Sequence, residues 1–112
     1  MITKNENQKI VQNVVYLLEL LSFYSPLLKV KQIKYFKLYY ENNWSYAEIA
    51  KLFKISRAAV CDSIMQTKKL LKKYESKLQL WKKHKKRLQF FEYINDTDLK
   101  NKLIQFEYKN LC

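Results

Sequence analysis

Glycine is absent from all 112 residues of this chain, and proline occurs once, at Pro26. Tight β-turns need residues at positive φ, and glycine reaches that region at no steric cost. A β-rich domain of this size would need turn residues of both kinds, so helices joined by short connections are the natural building material. Hydrophobic residues make up 48% of the chain and aromatic residues 15%, enough for one core but too little length for two. The expected fold class is all-α, as one helical domain over residues 1–112 with five or six helices.

The stretch Ser45–Leu71, SYAEIAKLFKISRAAVCDSIMQTKKLL, reads as a short helix, a tight turn and a longer helix. Ser45 and Glu48 have the spacing of a capping box, which starts the first helix. Ile49, Ala50, Leu52 and Phe53 supply an inward stripe, and the small Ala50 lets a second helix cross closely. Lys54 and Ile55 make the turn, with Lys54 where a left-handed backbone usually selects glycine. Ser56 is the next N-cap, and Val60, Ile64 and Leu71 carry the apolar face of the following helix. This is a helix-turn-helix pattern, in which the second helix enters the DNA major groove. The C-terminal extension is then 72–112.

Around the motif, residues 1–8 are polar and expected outside regular structure. Ile10, Val11, Val14, Leu17, Leu18 and Leu21 predict a helix ending near Tyr24, stopped by Ser25-Pro26. A second helix follows over Lys29–Glu41, with Lys31, Lys34 and Lys37 on its outer side. Asn42-Asn43 is a turn, and Trp44 stands where a hydrophobic staple would anchor the Ser45 cap. Val60, Ile64, Thr67, Leu71, Tyr74, Leu78 and Trp81 step alternately by four and three, predicting a long helix from Arg57 to at least Leu78. Past Trp81 the phase slips, so the helix bends near residues 79–84 or packs a new surface there. Asn95-Asp96-Thr97 reads as a cap, and Leu99, Leu103, Phe106 and Leu111 define a final amphipathic helix. The heptad seam and this tail offer apolar surface for a homodimer.

Lys and Arg number 22 against 10 Asp and Glu, a net charge of +12, which favours a polyanionic partner. The excess concentrates in residues 68–87, with ten bases and one acid, Glu75. Cys61 and Cys112 lack metal-ligand spacing and read as free thiols, and His84 has no metal partner set. No nucleophile–base pair, phosphate loop or carboxylate pair is visible, so neither an enzyme nor a cofactor is expected. No membrane segment or signal peptide is evident, which points to the cytoplasm.

With Val60 set at zero and 100° per residue, Ala58, Asp62, Met65 and Lys69 fall on the outer side of the long helix. Arg57 and Gln66 are the long donors beside them, suited to base edges. Asp62 fits either a base contact or an intrahelical ion pair. Lys68, Lys69, Lys72, Lys73 and Lys77, then Lys82, Lys83, Lys85, Lys86 and Arg87, suit phosphates more than bases, or form a solvated surface. Tyr46 and Tyr74 are possible stacking residues, Tyr74 more as core. The candidate nucleic-acid contacts are Tyr46, Ser56, Arg57, Ala58, Asp62, Gln66, Lys68, Lys69, Lys72 and Lys73.

The segments FYSPLL, LYYENNWS, SYAEIAKLFKISRAAVCDSI and KKLLKKYESKL, followed by a Leu-rich tail, together resemble the YlxM family. These are helix-turn-helix proteins associated with the signal recognition particle, whose central region looks like region 4 of bacterial sigma factors. The resemblance covers roughly residues 8–110. Ser25-Pro26 stands where the family usually has Gly-Ser, Lys29 where it tends to have a Thr cap, Ala58 for a common Gln and Cys61 for a common Tyr. It implies a cytoplasmic bacterial protein acting alongside that particle. Two functions compete: a DNA-binding regulator, placed first, and an accessory RNA- or protein-binding module of the particle.

Overall fold

The computed structural model of the chain describes residues 4–109 and builds them from six α-helices and one 3-10 turn, with no strand. These are α1 (Lys4–Tyr24), a 3-10 turn (Ser25–Leu27), α2 (Val30–Tyr40), α3 (Tyr46–Phe53), α4 (Arg57–Leu78), α5 (Leu80–Phe91) and α6 (Thr97–Lys109). The all-α helix-turn-helix expectation holds. Helix α1 is already formed at Lys4, earlier than the polar first residues suggest, with Glu6 in its first turn where the helix dipole favours an acid. Leu111 and Cys112, assigned above to the tail and to the free thiols, lie outside the described residues.

Helix α4 is the axis of the molecule, packed by α1, α2 and α3. Leu17, Leu20, Leu21 and Tyr24 of α1, Tyr35 and Phe36 of α2, Ile49 and Ala50 of α3, and Val60, Ile64 and Leu71 of α4 form one buried cluster. Thr67 is also buried, its hydroxyl donating to the Ser63 carbonyl at 2.8 Å, so it fits the apolar face without an orphaned polar atom. The heptad seam from Val60 to Leu71 is therefore buried inside the protomer and is not free to pair with a second chain. Helices α1, α2 and α3 cover that part, whereas further along the seam Tyr74 is half-buried and Leu78 is exposed.

The stretch Glu6–Leu27 is, by length and composition, apolar enough to cross a membrane, which the sequence analysis did not anticipate. Its second half is spent on the core, where Leu17, Leu20, Leu21 and Tyr24 are buried.

The long helix stops at Leu78 because Gln79 adopts the left-handed conformation, φ 55° and ψ 34°. With no glycine in the chain, Asn43, Lys54 and Gln79 occupy its three positive-φ positions among the described residues. Across this corner α5 folds back onto α1, where Trp81 meets the ring of Tyr16 edge-on at 4.8 Å and donates from Nε1 to Glu19. Helix α6 starts where predicted, with Asp96 Oδ1 accepting from the Leu99 amide at 3.1 Å. It docks on α5 and buries no residue fully.

Candidate nucleic-acid interface

Local chemistry sets the angle between α3 and α4. The Ser45 hydroxyl accepts from the Glu48 amide, and the Glu48 carboxylate accepts from the Ser45 amide, both at 3.1 Å, so the capping box is complete. At the other end Lys54 is left-handed, φ 56° and ψ 45°, and its amide donates to the Ala50 carbonyl. The Ile55 amide reaches the same carbonyl at 3.1 Å, closing the helix end as a Schellman-type turn. Ser56 then caps α4, its hydroxyl accepting from the Ala59 amide at 3.0 Å. Trp44 is half-buried against the core cluster, in keeping with an anchor beneath the Ser45 cap.

The outward face of α4 lies where the helical wheel puts it. Arg57, Ala58, Asp62, Met65, Gln66, Lys69, Lys72 and Lys73 are all exposed, one or two per turn. From Arg57 to Lys73 this stripe runs about 24 Å at 1.5 Å per residue. Five ion pairs occur among the described residues, and none involves Arg57, Asp62, Lys68, Lys69, Lys72 or Lys73. The intrahelical ion pair considered for Asp62 is thus not formed, and Arg57, Lys69, Lys72 and Lys73 are exposed with no ion-pair partner among the described residues. Further along, Lys85 pairs with Glu19 at 3.3 Å and Arg87 with Glu107 at 2.6 Å, which removes two members of the basic run from any such surface.

Other candidates are placed differently. The Ser56 hydroxyl is committed to capping, and Lys68 is half-buried on the flank of the stripe. Tyr46 is half-buried and stacked on Tyr39 at 4.6 Å and 16°, so one ring face is already covered. Its hydroxyl is pushed up from the ordinary tyrosine value, first by the hydrogen bond with Tyr39 and then by burial, with Cys61 adding to the shift. Tyr46 therefore braces α2, α3 and α4 together. Tyr74 is half-buried beside Tyr24, as expected of a core residue.

Two features escaped the sequence analysis. Lys51 and Lys54, on α3 and in its turn, are exposed and unpaired among the described residues, extending the basic surface; the charge beside the turn was the available signal. His84 is buried, its Nδ1 lying 2.7 Å from Glu107 Oε2, and that carboxylate also accepts from Arg87 Nε at 2.6 Å and Nη2 at 2.9 Å. Among the described residues no three or more of His, Cys, Asp and Glu come together as a metal-holding group.

Comparison with known proteins converges on the same motif. The family model described as "Putative helix-turn-helix protein, YlxM / p13 like" matches residues 11–111. A UPF0122 protein of Streptococcus mutans is 43% identical over 89 residues, 75% of this chain and 81% of the relative. One from Streptococcus suis is 44% identical over 89 residues, 75% of this chain and 79% of the relative. A third, from Ureaplasma parvum, is 41% identical over 88 residues, 79% of this chain and 89% of the relative. The chain therefore belongs to the UPF0122 family of YlxM / p13-like helix-turn-helix proteins.

Proposed function

We propose that this protein is a DNA-binding regulator of helix-turn-helix type, not an enzyme, working in the cytoplasm alongside the signal recognition particle pathway. The observation that carries the reading is the exposed stripe of α4, on which Arg57, Lys69, Lys72 and Lys73 have no ion-pair partner among the described residues. With the first turns of α4 in a major groove, Arg57 and Gln66 are the donors for base edges, and the lysines meet phosphates. The single domain, 1–112, acts as a homodimer, since paired half-sites are the usual target of the motif.

One observation favours a second reading. Ala58 and Met65 occupy the centre of the reading face and donate no hydrogen bonds, so charge and shape carry most of the recognition, which an RNA target also accepts. On that reading the protein is an accessory RNA- or protein-binding module of the particle.

Titrating the protein against random duplex DNA and against the particle's RNA at two salt concentrations separates the readings. Duplex binding that persists near physiological salt supports the regulator. Salt-resistant RNA binding with loss of duplex binding reverses the order, and binding to neither leaves a protein partner.

A further inference from the structure

The first half of α1 stands apart from the core that its second half builds. Ile10, Val11 and Val15 are 52%, 61% and 48% exposed, an unusual concentration of bare aliphatic surface on one helix. Beside them a groove of about 670 Å³ runs between α1 and the α2–α3 corner, walled by Val14, Tyr40 and Trp44 among others. None of the nine residues that line it is charged. On the other side of the same helix a smaller cleft of about 270 Å³ is lined by Val11, Gln12, Val15, Tyr16 and Trp81 together with Glu19 and Lys85, whose charges are paired with each other. Val11 and Val15 thus form a ridge with a groove on each side.

We infer that this face of α1 is where two copies of the chain pair, the Val11–Val15 ridge of each entering the uncharged groove of the other about a two-fold axis. Two features select a second copy as the occupant. A ridge and an adjoining groove on one surface are self-complementary, as an isologous interface requires. The charge balance selects it too. An unlike partner drawn to a chain of net charge +12 would be acidic and would meet lysines, whereas two such chains can touch only where neither carries charge. Residues 10–18 hold no charged residue at all. The exposed apolar residues of α6 do not meet this condition, since the longest uncharged run in that helix is residues 103–106. The inference rests on the homodimer part of the proposed function and gives it a location, next to Ser45 and the start of the motif.

The test compares the full chain with a Val11→Glu/Val15→Glu variant by sedimentation equilibrium from one to one hundred micromolar. Both positions are exposed in the protomer, so helicity and melting temperature should be retained, and circular dichroism verifies this. A gentler Val11→Ser variant serves if the double variant fails to fold. The expected result is a wild-type dimer whose dissociation constant rises more than about 100-fold in the double variant, because buried like charges oppose one another across the axis. A wild-type chain that stays monomeric, or a double variant that dimerises as well as wild type, overturns the inference. So does a monomer that binds vesicles of phosphatidylglycerol through Val11 and Val15, since the occupant is then lipid. Binding of both proteins to a short random duplex is measured alongside. A wild-type dimer that binds no duplex upholds this interface while defeating the DNA reading, and a wild-type monomer that binds duplex does the reverse.

Discussion

The hydroxyl of Tyr24 donates to the buried carboxylate of Glu75 across 2.7 Å, tying the end of α1 to the last turns of α4. The same carboxylate accepts from the amides of Trp81 at 3.0 Å and Lys82 at 3.2 Å, capping the first turn of α5 from another helix. The Tyr24 oxygen in turn accepts from the Leu80 amide at 3.2 Å. Glu75→Ala strips this corner of its acceptor and leaves a buried hydroxyl and two helix-end amides unpaired, at a cost of about 2–4 kcal/mol. Urea unfolding at neutral pH should register that loss, with Tyr24→Phe costing about 1–1.5 kcal/mol. A Glu75→Ala variant as stable as wild type would show that water replaces the carboxylate freely.

The same pair predicts a weakness at high pH. Burial first, and the hydrogen bond to Glu75 second, push the Tyr24 hydroxyl up to about 12. A raised folded value means the folded state holds the proton more tightly, so the contribution is complete below the ordinary tyrosine value near 10. It is lost as pH rises through the folded value. Tyr24→Phe should start less stable at pH 7 yet decline more gently between pH 10 and pH 12. Burial also raises Tyr16 and Tyr40, which leaves the variant some residual slope. Parallel alkaline denaturation curves would contradict the assignment.

Two left-handed positions without glycine offer a stability gain. Lys54 at φ 56° and Gln79 at φ 55° each hold a Cβ close to the following carbonyl. Lys54→Gly and Gln79→Gly relieve that crowding but add entropy to the unfolded chain, so each should stabilise by up to about 1 kcal/mol. Lys54→Ile should cost more than 1 kcal/mol, because a β-branched residue tolerates this region least. Thermal melts of the three variants check the order.

These positions also mark what was legible in the sequence. Ser45, Glu48, Lys54 and Ser56 were readable because caps and turns are set by neighbours within a few residues. The apolar spacing from Val60 to Leu71 was equally readable as a buried face, but spacing does not say what buries it. Here the cover is α1, α2 and α3 of the same protomer. Glu75 was hidden in a lysine run because its partner Tyr24 lies 51 residues away. His84 read as solitary since Glu107 is 23 residues downstream on another helix. The outward stripe of α4 followed from helix geometry alone and the Ser56 cap from its neighbour Ala59, whereas the loss of one Tyr46 face to Tyr39 depended on a tertiary contact.

Acid should release α6 before the core. Hydrogen bonds from Arg87 hold the Glu107 carboxyl below the ordinary carboxylate range, with burial opposing and His84 adding to the lowering. A depressed folded value contributes stability that is present above pH 4.5 or so and lost as pH falls through the folded value. Because α6 has no fully buried residue, that loss should appear as faster amide exchange in 97–109 while α4 stays protected. Glu107→Gln should exchange quickly at pH 6 and show little further change on acidification. Uniform protection of α6 in both proteins down to pH 3 would discard this role for Glu107.

The α4 stripe makes a prediction of opposite sense for bases and phosphates. Arg57 stands at the start of α4 with no ion-pair partner among the described residues, so Arg57→Ala should narrow the gap between a cognate site and random duplex by about 1–3 kcal/mol. Lys72→Ala should weaken all duplexes alike and reduce the slope of log affinity against log salt by about 1. Lys85 provides the control within the same basic run. Its ammonium already faces Glu19 at 3.3 Å, so Lys85→Ala should leave the salt slope nearly unchanged. Fluorescence anisotropy at several salt concentrations measures all three. Equal slopes for Lys72→Ala and wild type, or a larger change for Lys85→Ala than for Lys72→Ala, would move the polyanion surface off the outer face of α4.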